Sequence, residues 1–272
     1  ERVELHEMRA RPVSETGSQL REVRMEEDDW REYGVVERLA VAVDAPPLRD
    51  SSPAGELPET VIREWLLPDI FERLRAGHGE FLAELRPAYP LFLRFGGIDY
   101  DADDEAAAKL DSFIRRVQRI LASYGGNLLQ LTIGDKGAYL FAVFGSPRAH
   151  EDDAARASAA ALELRTLQDT TAARDIQMGI AYGRLRSGAY GHRQRQAFTC
   201  IGDAVNLAAR LMTRAPPGRI YVTEDVRRAA GDAFGWQALP PITVKGKADR
   251  VAAFRRNPPA EGWTGVTAFD EK

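Results

Sequence analysis

Cysteine is almost absent. Cys200 is the single one in 272 residues, so no intramolecular disulfide can form, and nothing points to an oxidising compartment. The four histidines, His6, His78, His150 and His192, are scattered, and no His/Cys/carboxylate spacing has the form of a zinc site. There is no Gly-x-x-x-x-Gly-Lys-Ser/Thr phosphate loop and no Gly-x-Ser-x-Gly nucleophile elbow. No apolar run reaches 18 residues and no signal peptide is visible, so the sequence offers no membrane segment. A net charge of −4 without a basic block excludes a general attraction to nucleic acid. The chain starts at Glu1 rather than Met. We therefore expect an excised piece of a longer cytoplasmic protein.

What is present is a globular composition, 44% hydrophobic and 29% charged, enough for a real core. Residues 1–58 are read as a charged N-terminal segment and linker. Its apolar run Val35–Val43 could supply a strand or two, and the Pro- and Ser-rich stretch 45–58 is the linker. Residues 59–87 form a helical lead-in, with Val61, Trp65, Leu66, Ile70 and Leu74 at helical spacing, then Phe81, Leu82 and Leu85. Gly77 and Gly79 are expected to divide it into two helices.

From Pro90 the pattern is regular. Leu91–Ile98 predicts a buried strand and Asp104–Tyr124 a long helix, ended by Gly125-Gly126. Leu128–Ile133 and Ala138–Phe144 predict two strands around the hairpin signal Gly134-Asp135-Lys136-Gly137. A helix over His150–Leu167, strands over Ile176–Leu185 and Ala197–Ile201, a helix over 203–214, and short strands at Ile220–Val222 and Val251–Phe254 follow. This order predicts an α+β fold, a ferredoxin-like βαββαβ sandwich with a C-terminal extension. Residues 257–272 are read as a tail or linker. Cys200 lies in an apolar strand-like run, which suits a buried structural thiol.

The most informative stretch is Phe198-Thr-Cys-Ile-Gly-Asp-Ala-Val-Asn-Leu-Ala-Ala-Arg-Leu211. A β-branched and aromatic run stops at Gly202, and Asp203 is able to cap the helix that follows. Asn206 and Arg210 are four residues apart and emerge on one face. An amide beside a guanidinium can read a phosphate and a ribose, since Arg grips phosphate oxygens in a fork. Taken alone, the same pair also describes two solvated residues on a surface helix.

Four further blocks stand in order around it: Leu91-Phe-Leu-Arg-Phe-Gly-Gly-Ile98; Tyr124-Gly-Gly-Asn, Thr132-Ile-Gly-Asp-Lys-Gly and Ala142-Val-Phe-Gly145; Met178 through Gly191; and Ala215 through Glu224, with Val244-Lys-Gly-Lys247 closing the set. Together they resemble the catalytic domain of class III nucleotide cyclases over residues 88–256. The resemblance implies conversion of a nucleoside triphosphate to a 3′,5′-cyclic nucleotide and pyrophosphate, with Mg²⁺ or Mn²⁺. It also implies a head-to-tail dimer of half-domains. One half brings two metal-binding aspartates, and the other brings the base contacts, an Asn and an Arg.

Carried over residue by residue, the resemblance makes Asn206 the ribose-orienting residue and Arg210 the transition-state arginine. Lys245, with Lys247 beside it, takes the triphosphate. Thr199 occupies a purine-selecting slot. The other such slot, usually lysine, is Leu131, with Gln130 adjacent as a substitute. The first metal aspartate slot is Arg94, which cannot ligate Mg²⁺. The second is Asp135, which equally suits a turn residue. This set is most similar to the second catalytic half of soluble-type tandem adenylate cyclases. It implies ATP rather than GTP as substrate, a second half-domain as partner, and metal bound mainly by that partner. On this reading residues 1–45 are the tail of a preceding half or its linker. Two other readings stay open: a pseudo-cyclase with a regulatory or nucleotide-binding role, and an unrelated ferredoxin-like interaction module.

Overall fold

The computed structural model of the chain describes residues 9–11, 19–24, 30–35, 57–77, 84–134, 137–192, 195–240 and 253–256. The chain divides into two units, Glu1–Glu59 and Thr60–Lys272. In the first, β1 (Arg9–Arg11), β2 (Gln19–Arg24) and β3 (Trp30–Val35) form an antiparallel sheet in the order β1-β2-β3. The strand β3 ends where the apolar run Val35–Val43 begins, and the rest of that run lies outside the described residues.

The second unit holds the rest. Its elements are α1 (Glu59–Trp65, starting at the boundary), α2 (Pro68–Arg75), β4 (Glu84–Gly96), α3 (Ala106–Ser123), β5 (Asn127–Gly134), β6 (Gly137–Phe144), α4 (Asp153–Thr170), β7 (Arg174–Ile180), β8 (Gly183–His192), β9 (Arg195–Ile201), α5 (Asp203–Arg214), β10 (Ile220–Thr223), α6 (Glu224–Ala230), β11 (Trp236–Ala238) and β12 (Ala253–Arg256). The segment β4-α3-β5-β6-α4-β7 is a βαββαβ unit. Its strands lie side by side as β7-β4-β6-β5, each antiparallel to its neighbour. This is the ferredoxin-like arrangement. Beyond β7, β10 joins in parallel, and β12 and β11 extend the edge.

Side-chain alternation along each strand sorts the sheet into two faces. Leu91, Leu93 and Phe95 of β4, Leu140, Ala142 and Phe144 of β6, and Ile176, Met178 and Ile180 of β7 form one buried layer. It includes Phe113 and Val117 of α3, Ala157 and Leu164 of α4, and Val226 of α6. The alternate residues Phe92, Phe141 and Val143 turn to the other face. There they pack with Cys200 and with Ala204, Ala208 and Met212 of α5. The stripe on α5 recurs at intervals of four, as an amphipathic helix requires.

Local signals explain most boundaries. Gly125 has a φ of +74°; its N–H donates to Ala122 O and that of Gly126 to Leu121 O, at 3.0 and 2.8 Å. That pair of bonds is the Schellman end of α3. Pro216 and Pro217 stop α5, and Ala215 before them is extended at ψ 131°.

The lead-in differs from expectation. It has an additional break at Leu66-Leu67, ahead of Pro68, which starts α2, because proline suits the first turn of a helix and not its interior; α2 then ends just before Gly77 as expected, and Gly79, Phe81 and Leu82 lie outside the described residues. Leu85 belongs to β4, not to a helix; β4 runs seven residues further toward the N-terminus than predicted and pairs there with β8. The expected single strand Ile176–Leu185 is two, β7 and β8. Both run along β4, but β7 pairs with its C-terminal part and β8 with its start.

The helix α5 lies closer to the sheet than side chains normally allow. A Cβ on Gly179 of β7 would stand 2.2 Å from Ala208 O and 2.3 Å from Met212 N. Beside it, the buried Gln177 donates its amide N–H to Met212 O at 2.9 Å. Both obstacles at Gly179 are backbone atoms that cannot rotate away. We therefore expect Gly179→Ala to cost about 3 kcal/mol, the upper part of the overpacking range. For a domain of this size that lowers the calorimetric melting temperature by roughly 6–12 °C; an unchanged melting temperature would contradict this packing.

Candidate active site

The sequence segment 195–214 makes a strand, a one-residue corner at Gly202 and a helix. Gly202 itself takes the N-cap position of α5, without a side-chain cap bond, and Asp203 is the first helical residue. Asp203 was expected as the cap; instead its carboxylate sits in the first turn, where it favours the helix dipole. The buried stripe of α5 holds the helix on the sheet, which leaves Asn206 exposed and Arg210 half-buried on the adjoining face.

That face closes one side of a cavity of about 630 Å³. Phe92, Tyr139 and Phe141 from the α5-facing side of the sheet form the aromatic floor, and the Phe92 and Phe141 rings stack at 4.8 Å. Five residues singled out from the sequence line it together: Arg94, Gln130, Thr199, Asn206 and Arg210. Asp135, Lys245 and Lys247 lie outside the described residues. No aspartate, glutamate or histidine lines the cavity among the described residues, so its fixed charges are two guanidiniums.

Leu131 does not line the cavity, and Gln130 does. The reason is a register shift in β5. Asn127 and Leu128 pair with Val143 and Ala142, but the next partner of the ladder, Phe141, is met by Gln130. Leu129 is the extra residue of a β-bulge. Without the bulge, Leu131 would stand opposite Tyr139 and share its cavity-facing side. With it, Leu131 pairs with Leu140 on the other face and Gln130 comes in. The Gln130 amide N–H donates to Thr132 Oγ1 at 3.1 Å. Its carbonyl oxygen is left as the acceptor.

Arg94 reaches the turn end of β6. A Cβ on Gly137, whose φ is +93°, would lie 3.3 Å from both Nε and Nη2 of Arg94. The absence of a side chain at Gly137 makes room for the guanidinium. Among the described residues the arrangement does not fit a two-metal centre. A permanently charged guanidinium stands at the first ligand slot, and no group of three or more His, Cys, Asp or Glu residues could hold a metal ion among the described residues.

Cys200 lines the same cavity but is buried. Its Sγ lies 3.1 Å from Ser187 Oγ, which is also bonded to Ser146 Oγ. Burial pushes the thiol above its ordinary range, although both serine hydroxyls pull it down. The floor aromatics and the Gln177–Gly179 seat of α5 were not singled out from the sequence. The two-residue alternation of β4, β6 and β7 was the signal that contained them.

Residues 102–255, more than half of the chain, match the family model described as the adenylate and guanylate cyclase catalytic domain. The chain belongs to that family. Human adenylate cyclase type 10 is 28% identical over 173 residues, 62% of this chain and 11% of that protein. The rat protein of the same name is 26% identical over 205 residues, 74% of this chain and 12% of the rat protein. This cyclase domain therefore spans only a small part of those relatives. Among solved structures, the adenylyl cyclase CyaB from P. aeruginosa superposes with a TM-score of 0.60 at 21% identity. The match covers 67% of this chain and 99% of that one. The guanylate cyclase domain of RhGC from Catenaria anguillulae, in complex with GTP, gives 0.57 at 22%, covering 64% and 97%. These likenesses establish the fold of this cyclase domain. Among the described residues no helix is long and apolar enough to cross a membrane.

The environment of Cys200 sets a pH dependence. Its thiol ionises at higher pH in the folded cyclase domain than when unfolded. Above the ordinary thiol value of 9.0 the unfolded state loses its proton first, so stability falls as pH rises through that point. Denaturant midpoints measured from pH 8 to pH 10 should fall more steeply for the wild type than for Cys200→Ala. Equal slopes would show that the thiol does not titrate differently in the two states.

Proposed function

We propose that this cyclase domain supplies the Asn/Arg half of an active site that turns ATP into 3′,5′-cyclic AMP and pyrophosphate. The metal-binding aspartates come from a partner half-domain. The observation that carries this reading is the convergence of Asn206, Arg210, Thr199 and Gln130 on one cavity that, among the described residues, has no carboxylate lining it. In the reaction the ribose 3′-oxygen bonds to the α-phosphorus, the bond from that phosphorus to the β-phosphate bridging oxygen breaks, and pyrophosphate departs. Negative charge grows on the α-phosphate oxygens as this happens. Arg210 offers a fork of N–H donors to that charge. Asn206, one helical turn earlier, orients the ribose, and Lys245 with Lys247 takes the outgoing phosphates.

The preference for ATP rests on Gln130. One of its two N–H groups is engaged by Thr132, and its carbonyl oxygen accepts from the exocyclic amine of adenine. Thr199 adds a hydroxyl from β9, which lines the same cavity. The proton of the 3′-hydroxyl must leave toward a base. None of the described cavity residues is a carboxylate or a histidine, so that base and the divalent cations are assigned to the partner half. Arg94 also favours a second reading, in which the cyclase domain binds nucleotide and acts only as a regulator of its partner.

The test is turnover with ATP and Mg²⁺ or Mn²⁺. The isolated chain should make no cyclic AMP, and robust turnover would overturn the half-site reading. With the partner half-domain present, in the same chain or a separate one, Arg210→Ala should lower kcat by about 100-fold or more with KM little changed. An unchanged kcat would favour the regulatory reading.

A further inference from the structure

We propose that Gln177 is a positioning residue for the transfer: its buried amide supplies the hydrogen bond that Pro216 denies to the end of α5, and so fixes the last turn of the helix from which Arg210 acts. The inference rests on the role given to Arg210 above and adds to it the device that holds that arginine in place.

In a helix each carbonyl oxygen accepts from the N–H four residues on. For Met212 and Thr213 those residues are Pro216 and Pro217, and proline has no N–H. Thr213 is exposed, where water serves such a carbonyl. Met212 is buried, at 6% exposure. Its oxygen is left with the N–H of Ala215 at 3.2 Å, which already donates to Leu211 O at 2.9 Å. Gln177 completes it from β7, with its amide N–H 2.9 Å from Met212 O. Gln177 is itself buried, and it stands on the sheet face that carries the apolar Phe92, Phe141 and Val143. A buried amide in an apolar layer is unfavourable unless it is bonded, so its presence there is explained by the carbonyl it meets.

The bond bears on the site because the last turn of α5 is part of it. Arg210, Met212 and Thr213 all line the cavity, and Arg210 lies two residues before the carbonyl that Gln177 holds. The connection after the helix is tied to β7 on either side of Gln177 by backbone alone. Gly218 N–H donates to Ile176 O at 2.7 Å, and Met178 N–H to Arg219 O at 3.0 Å. Those bonds hold the turn 216–219 whatever side chain stands at 177. The end of the helix itself is held by packing and by this amide. Without the donor, Met212 O would turn toward water, and the turn that carries Arg210 would shift while 216–219 stayed. A displacement of about 1 Å in a group that meets the transition state is enough to lower a rate by roughly 100-fold. Binding spread over the rest of the cavity would change little.

Kinetics with the partner half-domain present, in the same chain or a separate one, test the inference. Gln177→Leu fills the space without the donor; it should lower kcat about tenfold or more, with KM for ATP changed less than about threefold. In an Arg210→Ala background the same substitution should lower kcat by less than about twofold, because the group it positions is gone. Damage that is only structural would multiply with the loss of Arg210. Gln177→His places a ring N–H at a similar reach and should restore kcat to within about threefold of the wild type. Melting curves keep the comparison to folded protein, and Gln177→Met, closer in shape, takes the place of Gln177→Leu if the latter does not fold. A wild-type kcat in the donor-free variant, a loss that multiplies with Arg210→Ala, or a Gln177→His variant as slow as Gln177→Leu would overturn the inference. An unchanged kcat in Arg210→Ala alone would count against the half-site reading itself, so the two failures are told apart.

Discussion

The contact of helix α5 with bare backbone at Gly179 is the constraint on which the site depends. The helix carries Asn206 and Arg210, while Phe92, Arg94, Gln130 and Tyr139 come from strands. How these groups meet is set by how far α5 stands off the sheet. A normal layer of side chains between helix and sheet would lift Asn206 and Arg210 away from the floor by the thickness of that layer. Gly179 removes one side chain from the layer, and Ala204 and Ala208 keep their own contributions small. Gln177 then fixes the helix along its axis through Met212 O. Its amide is buried, so a lost bond would leave an unsatisfied polar group, and the position of α5 is held by that penalty as well as by packing.

The strand register does the complementary task for the sheet. Because side chains alternate, the choice between a core residue and a site residue is made one position at a time. In β4 the alternation gives Leu93 and Phe95 to the layer under α3 and α4, and gives Phe92 and Arg94 to the cavity. In β5 the bulge at Leu129 reverses the parity for everything after it. The cavity-lining position therefore passes from an apolar residue to an amide without any change in the order of the chain. A β-bulge next to a site commonly serves to re-aim a side chain in this way.

These particulars show what could be read from the sequence and what could not. The βαββαβ order, the glycine end of α3 and the limits of α5 were legible because each rests on local chemistry: apolar periodicity, a left-handed glycine, a proline pair. The grouping of Thr199, Asn206 and Arg210 was legible through the ordered motifs of the cyclase family, whereas the resemblance assigns the Arg94 position to the opposite, metal-binding side and gave no sign that it lines the same cavity. The inward turn of Gln130 was not, because a bulge is a property of two paired strands and leaves no mark on one of them. The N-terminal extension of β4 was missed for a related reason. Residues 84–88 are held by pairing with β8, a partner about a hundred positions away, while their own apolar spacing suits a helix equally well. The seat at Gly179 was missed because a lone glycine in a strand pattern says that something approaches closely, but not what.

The electrostatics of the cavity follow from the same geometry and bear on why two different halves would be needed. A phosphoryl-transfer site has to offer cations to a polyanion and also a base to a hydroxyl. Guanidiniums are permanent cations and cannot act as that base. A carboxylate placed beside them would be neutralised by an ion pair, as Asp69, Asp111, Asp152 and Glu224 are elsewhere in this cyclase domain. The absence of carboxylates from the described lining preserves the pull of its two guanidiniums on a phosphate. The same exclusion leaves the described cavity without a general base or a metal ligand. A single surface that is best at holding the polyanion is thus poorly equipped to activate the hydroxyl, and separating the two tasks onto facing surfaces removes the conflict.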